Sequence, residues 1–196
     1  MLHDYYLPFI HTAQNSGFGF LLDSATWRAS RDWGEKLGYT HEALAEANRQ
    51  CIAMLAGLRR AFETTGFPMV ISGAIGPRGD GYEPGKIMSA DEAEDYHSEQ
   101  IGTLAEADAD MVSAYTLTNA NEAIGIARAA RAQDIPLAIS FTLETDGKLP
   151  TGQSLKDAII EVDTETGSSP AYYMINCAHP LHFTSTLADG GQWLAR

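Results

Sequence analysis

Five times along this chain a short apolar run breaks at a polar loop and gives way to a stretch of helical period, and that alternation most narrows what it can fold into. The apolar runs are Gly17-Phe-Gly-Phe-Leu-Leu22, Met69-Val-Ile-Ser-Gly73, a segment near Asp110 to Leu117, Pro136-Leu-Ala-Ile-Ser-Phe-Thr142 and Tyr172 to Ile175. The last, bracketed by Pro170 and Pro180, has the length and the aromatic and β-branched content of a strand buried on both faces. Short strands separated by helices demand crossover connections, hence an α/β fold with a parallel sheet of βα units. The sheet is either open and doubly wound or part of a closed barrel, and periodicity does not choose between them. A closed (β/α)8 barrel usually takes about 250 residues, so 196 residues with five strands would make a short one.

The helices carry clear boundaries. A first one is expected between Asp4 and Gln14, with Pro8 limiting its start and Asn15-Ser-Gly17 its end. Thr40 reads as the N-cap of a long helix from His41 to about Phe62, since Leu44, Ala47, Cys51, Met54, Leu55 and Leu58 share one face. Ser89-Ala-Asp-Glu92 is a capping box opening a helix to about Ala107. Further helices are predicted from Ala120 to about Gln133, from a Ser154 cap to about Thr164, and from Pro180 to about Leu187. Cys51 falls inside the long helix and reads as core, and His97, on a polar background, as a surface or interfacial histidine.

No linker or low-complexity tract divides the chain, so one domain is expected over residues 1–196. Thirteen basic against 26 acidic residues give a net charge of −13, which disfavours nucleic acid and anionic membranes as partners. No run approaches the ~18 apolar residues of a membrane span, and the first residues lack the regions of a signal peptide. A cytoplasmic setting and two free thiols follow as expectations.

Chemistry is to be sought where the strands end. Asp23 to Ser30 forms a polar loop, and Gly73 to Tyr82 a glycine-rich one whose spacing fits no phosphate-binding signature. Cys177 stands at the carboxyl end of the last strand, either as a small buried hydrophobe or as a thiol placed for reaction. An open-sheet enzyme with Cys177 as nucleophile and His179 as base is one alternative, although residues two apart lie about 6.6 Å from each other along a strand.

Together the segments Ser24-Ala-Thr-Trp-Arg-Ala-Ser30, Ser72-Gly-Ala-Ile-Gly-Pro-Arg-Gly-Asp80, Tyr115-Thr-Leu-Thr-Asn-Ala-Asn-Glu-Ala123, Ala138-Ile-Ser-Phe-Thr142 and Asn176-Cys177 resemble the homocysteine S-methyltransferase family of zinc-dependent barrel enzymes. The resemblance implies a partial TIM barrel whose five strands match the second to sixth of eight. It makes Cys177 the first of three zinc-binding cysteines. The Cys-Cys pair that supplies the other two, and the amino-terminal strand, have no counterpart in this sequence. Where the family commonly has Glu-Thr at the end of its fourth strand, this chain has Tyr115-Thr116, which removes the carboxylate expected to hold the substrate's amino group.

The activity so implied is methyl transfer from a cationic or sulfonium donor to a zinc-bound thiol such as homocysteine. Cys177 would be the metal ligand, with Thr26, Trp27, Gly76, Tyr115 and Asn176 lining the substrate pocket. Without the resemblance, Asn176 reads as a turn residue, Tyr115 as a packing one, and Trp27 equally as a core side chain or a face for a methylated cation. The alternative is an inactive small-molecule-binding or oligomerising remnant, because a half barrel exposes sheet edges and would pair with a second copy.

Overall fold

The computed structural model describes residues 2–188 and 190–196. The chain begins with helix α1 (Leu2–Ser16), which runs straight through Pro8 instead of starting near it. Proline removes one helical hydrogen bond, but α1 is held by packing, with Ile10 completely buried and Tyr6 nearly so. Gly17 then turns the chain at a φ of +72°. Strand β1 (Phe20–Asp23) starts three residues later than its apolar run suggests, because pairing begins only where Phe20 N–H reaches the Pro68 carbonyl at 3.0 Å.

After β1 comes a six-residue helix, α2 (Arg31–Lys36), too short for its period to show in the sequence. The long helix α3 (His41–Phe62) follows, its Ala43 N–H bonded to the Thr40 hydroxyl as the cap predicts. Next come β2 (Met69–Ile75), α4 (Ala90–Glu106) with its complete Ser89–Glu92 capping box, and β3 (Met111–Leu117). The chain continues through α5 (Ala120–Ala132), β4 (Leu137–Phe141), α6 (Leu155–Thr166), β5 (Tyr172–Ile175) and α7 (Pro180–Leu187).

The five strands are all parallel and lie in the order β1-β2-β3-β4-β5. A doubly wound sheet must reverse its strand order at a switch point, and this one does not. The winding is that of a partial barrel. Side chains alternate accordingly. Leu22, Ile71, Ile75, Val112, Ala114, Ile139 and Phe141 form a fully buried outer layer. The strand registers put Asp23, Ser72, Ser113, Tyr115, Ser140, Tyr172 and Asn176 on the opposite, concave face.

Strand β5 has the predicted limits but is not buried on both faces: Tyr172 is 36% exposed and the rest half-buried. It is the sheet's last strand, and beyond it Tyr173 N–H donates to the Arg196 carbonyl (3.2 Å) rather than to a further strand. Among the described residues no helix is long and apolar enough to cross a membrane.

The tightest helix contact is between α4 and α5, where a Cβ on Gly125 would come within 2.5 Å of Ala93 Cβ and of Glu94 N. Backbone cannot yield as a flexible side chain can. Gly125→Ala should therefore lower the stability by roughly 1–3 kcal/mol, read as a reduced midpoint in urea unfolding, despite alanine's better helix propensity.

Candidate functional site

The residues at the carboxyl ends of β3, β4 and β5 are tied together by one side chain. Asn176 Oδ1 accepts from Thr116 N–H (2.9 Å) and Ser140 Oγ (2.8 Å), while its Nδ2 donates to Thr116 Oγ1 (2.8 Å) and Cys177 Sγ (3.2 Å). Two of the residues it holds are in the left-handed region, Thr116 at φ +64° and Cys177 at φ +53°. For a β-branched residue this is an unusual conformation, and here it coincides with a register shift between Ala114 and Leu117. The shift returns Leu117 to the buried outer layer while Tyr115 stays on the concave face.

Cys177 is exposed at the mouth of the partial barrel, not packed among aliphatic side chains. Its sulfur lies 3.9 Å from Thr116 Oγ1, and a hydrogen bond to the thiol is the main cause that pushes Tyr82's hydroxyl above its ordinary pKa. Tyr82 belongs to the glycine-rich loop, and Gly81 beside it would, with a Cβ, press to 2.9 Å of Thr116 Cγ2. The loop therefore closes over β3 at that point. His179 does not pair with the thiol: its Nδ1 accepts from Leu181 N–H (3.2 Å), capping α7. Cys51 is half-buried in α3, where burial raises its thiol pKa.

The other predicted pocket residues shape this mouth without all facing it. Thr26 is buried, its hydroxyl donated to the Ala74 carbonyl (2.7 Å). Trp27 donates through Nε1 to the Tyr115 carbonyl (3.2 Å), and Gly76 is the only residue that fits against it, since a Cβ would sit 2.7 Å from that nitrogen. One face of Trp27 is taken by Arg28, whose guanidinium lies 4.2 Å over Trp27 and 4.5 Å over Trp33. Arg28 also donates to the Pro77 (3.1 Å) and Gly79 (2.6 Å) carbonyls, clamping the loop.

His97, expected to be a surface or interfacial histidine, is 1% exposed. Its Nε2 is 3.0 Å from Glu122 Oε1, the same oxygen that accepts Arg78 N–H at 2.7 Å. A buried carboxylate on α5 thus anchors the loop from beneath, and the histidine is its partner. A cavity of about 520 Å³ opens between this loop and the N-terminal ends of α4 and α5, edged by Arg78, Lys86, Glu92 and Glu122. Cys177, Asn176 and Tyr115 are not among its walls.

Sequence reasoning put Asp23 at the head of a polar loop walling the site without naming it among the site residues. It ends β1 on the concave face, and its Oδ2 accepts the Tyr115 hydroxyl at 2.7 Å. Burial raises the Asp23 pKa, against the lowering effect of the Tyr115 hydrogen bond and of the nearby Ser72 hydroxyl. Tyr115 is pushed far above the ordinary tyrosine value by burial and by that carboxylate. The available signal was a lone acid at the first residue after an apolar run.

The sequence model of the family described as homocysteine S-methyltransferase matches residues 14–193. In three dimensions the chain is similar to the homocysteine methyltransferase MmuM from Escherichia coli. With its metallated form the TM-score is 0.75 at 19% identity, covering 86% of this chain and 61% of that one. With its apo form the TM-score is 0.72 at 20% identity, covering 92% and 64%. At such identity the likeness shows the fold, and the chain spans a little over three fifths of those structures. Among curated proteins no sequence match was found.

Two outcomes follow from the geometry. Asn176→Ala leaves the Thr116 N–H and the Ser140 hydroxyl without an acceptor and should cost roughly 1–3 kcal/mol in chemical unfolding. Asp23 carries a raised folded-state pKa, so the folded chain holds its proton longer than the unfolded one. Its effect on stability is therefore absent well below pH ~4 and becomes a loss as pH rises from there through the folded value. Asp23→Asn, which never ionises, should flatten that part of the stability–pH curve measured by thermal melts.

Proposed function

Because the chain belongs to the homocysteine S-methyltransferase family, we propose that its concave face takes a small thiol, homocysteine or a close relative, as acceptor of a methyl group from a sulfonium or other cationic donor. The observation that carries this reading is the exposed Cys177 sulfur at the end of β5, ringed by the Asn176 amide, the Thr116 hydroxyl and the Tyr82 hydroxyl. A cysteine sulfur at such a place is the kind of group that binds a metal or contacts a substrate thiol. In the reaction the acceptor's sulfur forms a new bond to the methyl carbon as the carbon–heteroatom bond of the donor breaks. The bonding pair neutralises the departing cation, and the thiol's proton is given up to water. The protein's part is alignment: Asn176 and Thr116 hold the mouth, Trp27 and Gly76 set its wall, and the Arg28-clamped loop brings Tyr82 to the thiol.

Zinc is the metal that this family uses, and catalytic zinc generally takes three protein ligands. Cys177 is one thiolate, and among the described residues no group of three histidine, cysteine or acidic side chains could hold a metal. The residues at hand do not fit a zinc site, and no step above runs through one. That observation favours a second reading, a binding or self-associating relative without turnover, helped by the outer edge of β1, which pairs with no further strand among the described residues. Either reading suits a cytoplasmic protein with Cys51 and Cys177 as free thiols.

Incubating the chain with homocysteine, zinc sulfate and either S-methylmethionine or betaine should yield methionine, detected by mass spectrometry, and Cys177→Ser should abolish it. Absence of product with every donor, together with homocysteine binding that Cys177→Ser leaves unchanged, would replace the first reading by the second. Size-exclusion chromatography is expected to show a dimer or larger assembly in either case.

A further inference from the structure

The concave face carries several hydroxyls between apolar side chains such as Met111 and Met174, and one carboxylate stands among them. Asp23 looks onto Ser72 from β2, Tyr115 from β3 and Tyr172 from β5, with Tyr6 of α1 donating to its backbone carbonyl. None of these neighbours is cationic. Its Oδ2 has the Tyr115 hydroxyl, but its Oδ1 is shut off from water and accepts no hydrogen bond. Ser72 cannot serve both needs, because its one hydroxyl proton goes to Ser113 Oγ at 2.8 Å. A carboxylate withdrawn from water without a counter-charge, and with an acceptor oxygen unused, is a costly arrangement that a ligand can relieve.

The ligand's chemistry follows from what is missing. A sulfonium or a quaternary ammonium brings charge but no hydrogen to donate, whereas a primary ammonium brings both. Tyr172 stands beside Asp23 on the edge strand, is 36% exposed and makes no hydrogen bond through its hydroxyl among the described residues. We propose that Asp23 is the counter-charge for the primary ammonium group of an amino-acid thiol bound on the concave face, with the Tyr115 hydroxyl orienting the carboxylate and Tyr172 forming the outer wall. The assignment rests on the thiol-binding reading above and makes Asp23 the residue that distinguishes aminothiols from thiols lacking nitrogen. A thiol without the amine leaves Asp23 unpaired and should bind more weakly.

The test compares homocysteine with 4-mercaptobutanoate, which keeps the thiol, the chain length and the carboxylate but has no amine. Calorimetric titration of the full chain should show homocysteine binding at least about tenfold tighter. Asp23→Asn should bring the two ligands together by weakening homocysteine alone, and circular dichroism checks that the variant is folded. Independently of any variant, carbon NMR of the wild-type chain should show the Asp23 carboxyl resonance move with homocysteine and stay put with 4-mercaptobutanoate. Equal binding of both thiols to the wild type, an undiminished preference in Asp23→Asn, or an unmoved resonance would overturn the assignment while leaving thiol binding intact. If neither thiol binds, the thiol-acceptor reading itself falls and takes this subsite with it.

Discussion

Four hydrogen bonds from one primary amide hold the mouth of this partial barrel. Asn176 uses both lone pairs of its oxygen and both hydrogens of its nitrogen, reaching β3, β4 and its neighbour Cys177. Left-handed backbone at a non-glycine residue costs on the order of 1–3 kcal/mol, and Thr116 and Cys177 both adopt it. Such conformations persist where the surroundings over-determine them, and the amide is what does so here. Without it Thr116 would have no reason to bulge, Tyr115 would lose its reach across β2 to Asp23, and the thiol would have no fixed direction.

The glycine-rich loop is held by an independent pair of anchors. From above, Arg28 lies between two tryptophans and donates to two loop carbonyls. From below, Glu122 accepts the Arg78 N–H and faces His97, within the first turn of α5, where the helix dipole favours a negative charge. Burying that carboxylate is tolerable because the Arg78 N–H and the His97 ring both lie within hydrogen-bond distance of it. The loop can thus lean Gly81 onto Thr116 and bring Tyr82 to the thiol while the cavity behind it stays open.

Much of this was legible in one dimension and some could not be. Capping residues write helix starts directly, so Thr40, Ser89 and Ser154 mark α3, α4 and α6. Strand content was equally plain, since β5 occupies its apolar run, but the burial of that run was not: Tyr172 to Ile175 read as a central strand and is an edge. Burial depends on what lies beside a strand, which hydropathy does not record. His97 misled for the same reason, because its partner Glu122 is 25 residues away and a pattern of charges along α4 says nothing of α5. Cys177 and Asn176 were found because they follow a strand end, whereas Asp23 was read as the start of a polar loop walling the site and proves to be the last residue of β1 itself.

The resemblance to the family led us to expect that exchanging a glutamate for Tyr115 would leave the amine-binding side of the mouth without charge. The geometry argues otherwise. Tyr115 is long enough to cross β2 and bond to Asp23, so the negative charge has moved two strands over and still faces the lumen. Trp27 cannot replace it, since Arg28 already covers one of its faces and a second cation there would meet the first. In a chain of net charge −13, long-range attraction brings cations in but does not sort them. Sorting needs a short-range mismatch, and a carboxylate with one oxygen satisfied and the other not supplies one.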